Sequence, residues 1–382
     1  MDPFEEYKRR MEVMASRLSG HDHEDFDTLR RRLKEILEEV ELYGDTEQQR
    51  AARARILHGL NTLALKRLGV PFDVLEDDRA VAAASPGRCL DLAVYVALGE
   101  ESETVLGQFG PNLEPCELPN IAMTAFCRRV TAHADGREYV VGVVPSGKMG
   151  NTRAASVMSA ILSTFAVRNV VVLGLAGSIS DDLFPGDVFI PDTISEYLAN
   201  SAAVGRSTLS FELSGNRFST DQTLLNRFQN CFSTCSSEYA QWTVAAGRRW
   251  MSTMDASECP ALIAMGVSRE RKPRLVCCDD RILGSGPAVG KGRAFAKWLT
   301  TNNRKVSAVE MESAGVYDAS LIHRPAPRTI AIRGISDFAD ERKRRLERSV
   351  GRSLRRAAIE NATSLLLFTI AMGFFSNDPP TS

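Results

Sequence analysis

Two short acidic motifs carry the chemistry that this chain can be expected to do. Val309-Glu310-Met311-Glu312-Ser313-Ala314-Gly315 opens an apolar, helix-like segment. Ile332-Arg333-Gly334-Ile335-Ser336-Asp337-Phe338-Ala339-Asp340 starts on the last residue of the apolar run Thr329–Ile332. Each puts carboxylates where a buried strand gives way to the next element, the place where open α/β sheets collect their ligands. A carboxylate there is costly to bury unless it has a partner or a task. The plain alternative is an acid that caps the following helix. One such site would favour the cap. Two sites, joined by a single helix-length crossover, favour a ligand crevice.

Together, V-E-M-E-S-A-G and R-G-I-S-D-F-A-D resemble the nucleoside phosphorylase and nucleosidase superfamily, above all its methylthioadenosine/adenosylhomocysteine nucleosidase branch. The resemblance implies that Glu312 holds the ribose hydroxyls, that Met311 packs on the sugar, and that Asp337, oriented by Ser336, protonates the purine. Further segments fit in the same order. Ala97-Leu98-Gly99-Glu100-Glu101 resembles the end of the family's first strand, where a glutamate positions or deprotonates the attacking water. Glu101 has the best spacing for it, with Glu100 and Glu103 as alternatives and a helix-start cluster of acids as the plain reading. Gly150, in Ser146-Gly147-Lys148-Met149-Gly150, resembles the glycine turn that brings backbone N–H groups to a sugar or anion. Gly174-Leu175-Ala176-Gly177-Ser178, followed by Gly186-Asp187-Val188, resembles the family's G-x-A-G-G and G-D-V. This implies close backbone approach to the nucleoside at Gly174, Ala176 and Gly177. Leu175 stands where a Ser or Thr is common. Val276–Leu283, with Arg281 and Ile282, resembles the segment that reads the purine edge, although Cys278-Asp279 replaces the usual Ser-Gly.

That chemistry suits these residue types. Breaking an N-glycosidic bond makes an oxocarbenium-like sugar and a purine anion, so the leaving base must receive a proton. A donor for it must hold that proton near neutral pH, which shielding beside Phe338 and the sheet would favour. No metal and no cofactor is implied. The phosphorylases of the same fold carry a G-D-P-x-R segment after the first strand and an arginine on a central strand. Neither is present at Ala97–Thr104 or Val170–Ser178, so hydrolysis is preferred to phosphorolysis. An inactive ligand-binding scaffold is the third reading, and Glu312 and Asp337 standing together argue against it. The substrate expected is an adenine-type nucleoside or nucleotide. Lys148, Arg153 and Arg281 are the cations placed to take a phosphate.

The elements that must position these residues begin near Leu90. Apolar runs at 90–98, 121–130, 139–144, 170–175, 184–190, 275–278 and 329–332 predict strands. Helical segments are expected at 151–166, 291–300, 313–321 and 353–371. The alternation predicts an α/β fold with a mixed, twisted sheet flanked by helices. Residues 198–272 are polar and read as insertions and loops.

Residues 1–78 read as helices only. Apolar stripes at Phe4–Leu18, Leu29–Val40 and Ile56–Leu68 predict a small all-α bundle, joined by a linker at about 78–88 to a catalytic domain over 79–382. The run from Ala52 to Phe72 resembles helical adaptor modules placed before effectors in bacterial conflict systems. This implies a regulatory or recruiting role toward a protein partner, and a defence role for the whole. The 382 residues carry a formal net charge of −1, which gives no bulk attraction to nucleic acid or to an anionic membrane. Eight cysteines show no zinc-type spacing. The amino terminus lacks a secretory pattern and no apolar run spans a bilayer, so a cytoplasmic protein is expected. The resemblance also implies a homo-oligomer.

A chain starting at Arg79 should fold and cleave substrate at a turnover comparable to the full chain, or faster if the helices restrain it. Base release by the two proteins, normalised to folded protein, tests this. Complete loss in a well-folded truncation would show that the helices build part of the site.

Overall fold

A computed structural model describes residues 89–376, apart from 119–120, 122, 134–135, 200–201, 205–209, 213, 258–262, 264–270, 279, 289–291 and 350–352. The expected helical bundle and linker lie outside the described residues.

In chain order the strands are β1 (Cys89–Val96), β2 (Glu114–Leu118), β3 (Met123–Thr131), β4 (Glu138–Pro145), β5 (Ala166–Ser178), β6 (Val188–Ile190) and β7 (Thr193–Glu196). They continue as β8 (Ala202–Val204), β9 (Ser210–Glu212), β10 (Asn216–Ser219), β11 (Leu275–Cys277), β12 (Ile282–Ser285), β13 (Val306–Glu310) and β14 (Arg328–Phe338). The helices that matter for the site are α1 (Gly99–Phe109), α2 (Asn151–Thr164), α3 (Gln222–Gln229), α4 (Cys231–Thr234), α5 (Ser236–Ser257), α6 (Arg293–Asn302), α7 (Ser313–Ile322), α8 (Arg342–Ser349) and α9 (Ser353–Ala371).

Twelve strands form one mixed sheet, in which β10-β7-β12-β13-β5-β1-β4-β3-β2 are neighbours, β14 branches from β5, and β6 joins β14 to β11. This is the mixed sheet with flanking helices that the alternating pattern predicts. The period of two explains the layers. Leu92, Val94 and Val96 of β1 join Val171 and Leu173 of β5 on one face, beneath Ala358, Leu365 and Leu366 of α9. Ala93, Tyr95 and Ala97 join Val170 and Val172 on the other, beneath Val157, Met158 and Ile161 of α2. Both faces are covered, so the central strands read as continuous apolar runs.

β5 organises the rest because it outlasts its neighbour. β1 runs parallel to it only as far as Val96, opposite Leu173. The edge that β1 vacates is taken up by antiparallel β13, through Val309 opposite Gly177 and Ala308 opposite Ser178. Gly174, Leu175 and Ala176 therefore lie between two partners, and a crevice opens over them. On the other edge β14 stays paired throughout, with one shift between Ile335 and Asp337 that makes Ser336 an extra residue. Such bulges re-aim side chains beside functional sites.

The polar stretch 198–272 corrects the sequence reading. Residues 222–257 are helical, and α5 is 22 residues long. Trp242, Ala246, Trp250 and Met254 recur at steps of four and are buried, so one stripe holds α5 against the core while Ser237, Arg248 and Ser252 are exposed.

Gly315 tests the contact between α7 and α2. A Cβ there would collide with the backbone carbonyl of Asn151, which the first turn of α2 cannot withdraw without moving Gly150. Gly315→Ala should cost about 2 kcal/mol, in the range of overpacked cores. Gly107→Ala in α1, where nothing lies within 4 Å of a Cβ, should instead be neutral or stabilising by about 0.5–1 kcal/mol. Urea midpoints at unchanged slope read both.

Candidate active site

The crevice over β5 is a cleft of about 580 Å³, open to solvent. Ala97, Leu98 and Glu101 line it from the end of β1 and the start of α1. Leu175, Ala176 and Gly177 form its floor. Val309–Glu312 enter from the end of β13, and Ser336, Asp337, Ala339 and Lys343 from the end of β14 and beyond. Met149, Ala288 and Arg355 complete the wall. Of the residues expected from the sequence, Glu101, Met311, Glu312, Ala176, Gly177, Ser336 and Asp337 are thus brought together.

The two glutamates of V-E-M-E divide the roles that the sequence left open. Glu310 is the cap: its carboxylate accepts the backbone N–H of Glu312 at 3.0 Å and that of Ser313 at 3.0–3.1 Å. Arg333 neutralises it in a buried ion pair and also donates to Ser313 Oγ at 2.7 Å. Glu312, relieved of that duty, turns its carboxylate to the cleft. Its only backbone donors are distant, Gly150 N and Met311 N, each at 3.4 Å. Gly150 therefore contributes through Glu312, with φ +113° setting the turn before α2.

Arg333 is 1% exposed and is the functional residue that the sequence reading missed. Its signal was plain: an arginine inside an apolar strand must meet an acid. Gly174 makes room for it, since a Cβ there would collide with the guanidinium and approach Glu101 Oε2 to 3.2 Å. The close approach expected at Gly174 is thus made by Arg333 and Glu101.

Of the three acids after β1, Glu101 is the one that lines the cleft. It is 4% exposed, at the cleft, and accepts weakly from Leu98 N at 3.4 Å. Glu100 faces outward and pairs with Arg355, and Glu103 is exposed. Burial pushes the Glu101 carboxyl up to about 7, against the pull of Arg333 and Arg355. Burial also holds Glu312 well above the usual carboxylate range, helped by the charge of Glu310 and opposed by Arg333.

Asp337 is 4% exposed. Its Oδ2 accepts from Ser336 Oγ at 2.6 Å and from Lys343 Nζ at 3.2 Å. Lys343 comes as near to Oδ1 but at no hydrogen-bonding angle, and Oδ1 has no hydrogen-bond partner. The sequence reading shielded this acid with Phe338 and the sheet; the structure adds a cation, Lys343. Gly177 permits the arrangement, because a Cβ there would lie 3.1 Å from Oδ1.

Arg281 and Ile282 do not reach the cleft. Arg281 pairs with Asp182 and donates to Ser180 and Ser307. Ile282 packs with Leu299 and Val306. The segment that does arrive, at Ala288, follows β12 rather than preceding it. Lys148 is exposed, and Arg153 turns to Met123 Sδ at 3.1 Å, so neither lines the cleft. Asp187 is held by Arg271 at 2.6 Å and by Phe184 N at 3.0 Å.

The raised carboxyls set a pH dependence. The folded state binds protons at Glu101 and Glu312 that the unfolded chain releases near pH 4.5. Their contribution is fully present below that pH and is lost as pH rises through about 7 and beyond. For Glu101 it is worth about 3 kcal/mol. The Tm should therefore fall between pH 5 and 9, and Glu101→Gln should flatten part of the slope. Thermal melts of both proteins across that range check it.

Comparison with known proteins bears on this cleft. The ATP nucleosidase Cap17 of Escherichia coli (strain KTE188) is 24% identical over 210 residues, 53% of this chain. The chain spans little more than a third of that relative's length (37%). A 5′-methylthioadenosine/S-adenosylhomocysteine nucleosidase from Streptococcus pneumoniae, solved with the transition-state inhibitor MT-ImmA, is 17% identical at a TM-score of 0.50. That match covers 73% of this chain and 98% of the other. A second structure of the S. pneumoniae nucleosidase, in complex with 8-aminoadenine, is 16% identical at the same TM-score and coverage. These likenesses show the fold. The profile of the Phosphorylase superfamily matches residues 91–369, and the chain belongs to that superfamily.

Proposed function

We propose that this chain hydrolyses the N-glycosidic bond of a purine nucleoside or nucleotide of the adenine type and releases the free base. One observation carries the reading. Three carboxylates from three separate elements, Glu101, Glu312 and Asp337, converge on one cleft, and none of them is spent on capping in the way Glu310 is. The names of Cap17 and of the S. pneumoniae nucleosidase agree with it.

Each carboxylate has a distinct task. Glu312 accepts hydrogen bonds from the ribose diol and fixes the sugar, with Met311 against it. Asp337, paired with Ser336 and Lys343, supplies the proton that the departing base requires. Delivery of that proton to the base nitrogen is assigned to this carboxyl, whose Oδ1 has no hydrogen-bond partner among the described residues. Glu101, with a carboxyl poised near neutrality, orients water toward the anomeric carbon and takes its proton. Ala176 and Gly177 bring backbone close beneath the nucleoside.

Phosphorolysis is the competing chemistry of this superfamily. The segment after β1 is Leu98-Gly99-Glu100-Glu101 and the floor strand ends Gly174-Leu175-Ala176-Gly177-Ser178. An acid stands where a phosphate would need a cation, and this favours water. The helices before Arg79 would recruit or regulate this activity toward a protein partner in a defence setting, and the enzyme would act as a homo-oligomer in the cytoplasm.

Asp337→Asn keeps the shape and the Ser336 contact but cannot release a proton to the base. In phosphate-free buffer the wild type should release free purine, and the variant should turn over at least about 10²-fold more slowly. Ground-state binding should change little, because Glu312 still holds the sugar. A nitrophenyl riboside, whose leaving group needs no proton, should escape most of the loss. Equal losses on both substrates would remove Asp337 from the acid's role.

A further inference from the structure

We infer that the cleft is built for a 5′-phosphorylated substrate, and that Arg355 at the start of α9 receives the phosphate. The inference rests on the nucleosidase reading above, for it uses the same pose. A ribose projects three ways: the base from C1′, the diol from C2′ and C3′, and the 5′ carbon from C4′. Asp337 takes the base side and Glu312 the diol side. The lining that is left is Ala97, Leu98, Met149, Ala288 and Arg355, and Arg355 is the cation among them.

Arg355 is unusual for its place. It lies in the first turn of α9, where the helix dipole disfavours a cation and favours an anion. Among the described residues it is held by Glu100, through Nε at 2.8 Å and through Nη2. The two side chains keep 24% and 37% of their exposure. Ion pairs so exposed contribute little, so exchange of Glu100 for a phosphate costs little. A guanidinium also offers the fork that binds phosphate oxygens two at a time.

The surroundings extend the same charge. Between Glu341 and Arg356 the chain carries eight lysines and arginines against two glutamates. Lys343, which lines the cleft, belongs to this run. Arg344 and Arg348 are exposed on α8. The cations expected from the sequence to take phosphate, Lys148, Arg153 and Arg281, are not on the wall, and the structure assigns that part to Arg355.

The same chemistry would also bind inorganic phosphate, so the test separates the two sources. Calorimetric titrations with adenosine, AMP, ATP and inorganic phosphate are run on full-length Asp337→Asn protein, which should consume them at least about 10²-fold more slowly than the wild type. Base release from adenosine, AMP and ATP is measured on the wild type with and without added phosphate. AMP and ATP should bind at least tenfold tighter than adenosine at low salt. That advantage should shrink at least tenfold in Arg355→Gln and return in part in Arg355→Lys, which also guards against a misfolded variant. The kcat/KM ratio of ATP to adenosine should fall in parallel. Equal affinity for adenosine and AMP, or an advantage intact in Arg355→Gln, overturns the inference. So does base release that requires added phosphate and yields ribose 1-phosphate, since the anion is then a co-substrate. Arg355-dependent nucleotide binding without base release refutes hydrolysis and leaves the phosphate site standing.

Discussion

The ion pair between Glu310 and Arg333 is the interaction on which the rest of the site depends. Both side chains are almost wholly withdrawn from water, at a desolvation cost that only good geometry and added hydrogen bonds offset. Here Glu310 receives three backbone hydrogen bonds at the start of α7, and Arg333 adds Ser313. The pair joins the end of β13 to the middle of β14 across the crevice. It also supplies the positive charge that Glu101 and Glu312 feel. Without Arg333, three buried carboxyls would face one another with little to oppose their protonation, and the cap of α7 would lose its counter-ion.

The geometry of β5 decides where this cluster meets a ligand. A parallel neighbour that stops at Leu173 and an antiparallel one that starts at Gly177 leave three residues of backbone facing a gap. The gap is floored by Gly174, Leu175 and Ala176, and glycine at 174 follows from the guanidinium behind it. On the opposite edge the bulge at Ser336 brings Asp337 opposite Gly177, beside the same opening. Sheet register and side-chain chemistry are one constraint here: a slip of one residue in β14 would turn Asp337 to the other face.

Much of this was legible in the sequence, for definite reasons. Acids at strand ends break an apolar pattern visibly, so Glu101, Glu312 and Asp337 could be singled out, and α9 was bounded at Ser353 and Ala371 by its apolar content. What could not be read was set by tertiary return of the chain. Lys343 reaches Asp337 only because α8 folds back after the bulge, and Arg355 reaches the cleft only through the placement of α9 over β1. Val276–Leu283 was singled out by its resemblance to the segment that reads the purine edge, whereas the residue that reaches the cleft, Ala288, lies after β12. The helices at 222–257 were hidden because their buried positions fall every fourth residue among polar ones. Arg333 was legible and overlooked, since strands with both faces covered seldom tolerate an unpaired cation.

α9 joins these threads. Its buried side, Ala358, Leu365 and Leu366, packs on the core face of β1 and β5, and its first turn carries Arg355 into the cleft wall. The backbone carbonyl of Ala358 lies against Gly334 so closely that a Cβ would collide with it. The helix therefore cannot slide along β14, which fixes the distance between Arg355 and the acids beneath. The basic run ahead of it forms the shortest link from Asp337 to that helix. The two residues to which the proposals give the phosphate and the proton of the base, Arg355 and Asp337, are thus carried within eighteen residues of one another in the chain. A change in how α8 and α9 seat would alter both together, whereas the Glu310–Arg333 pair, anchored in the sheet, would hold its place.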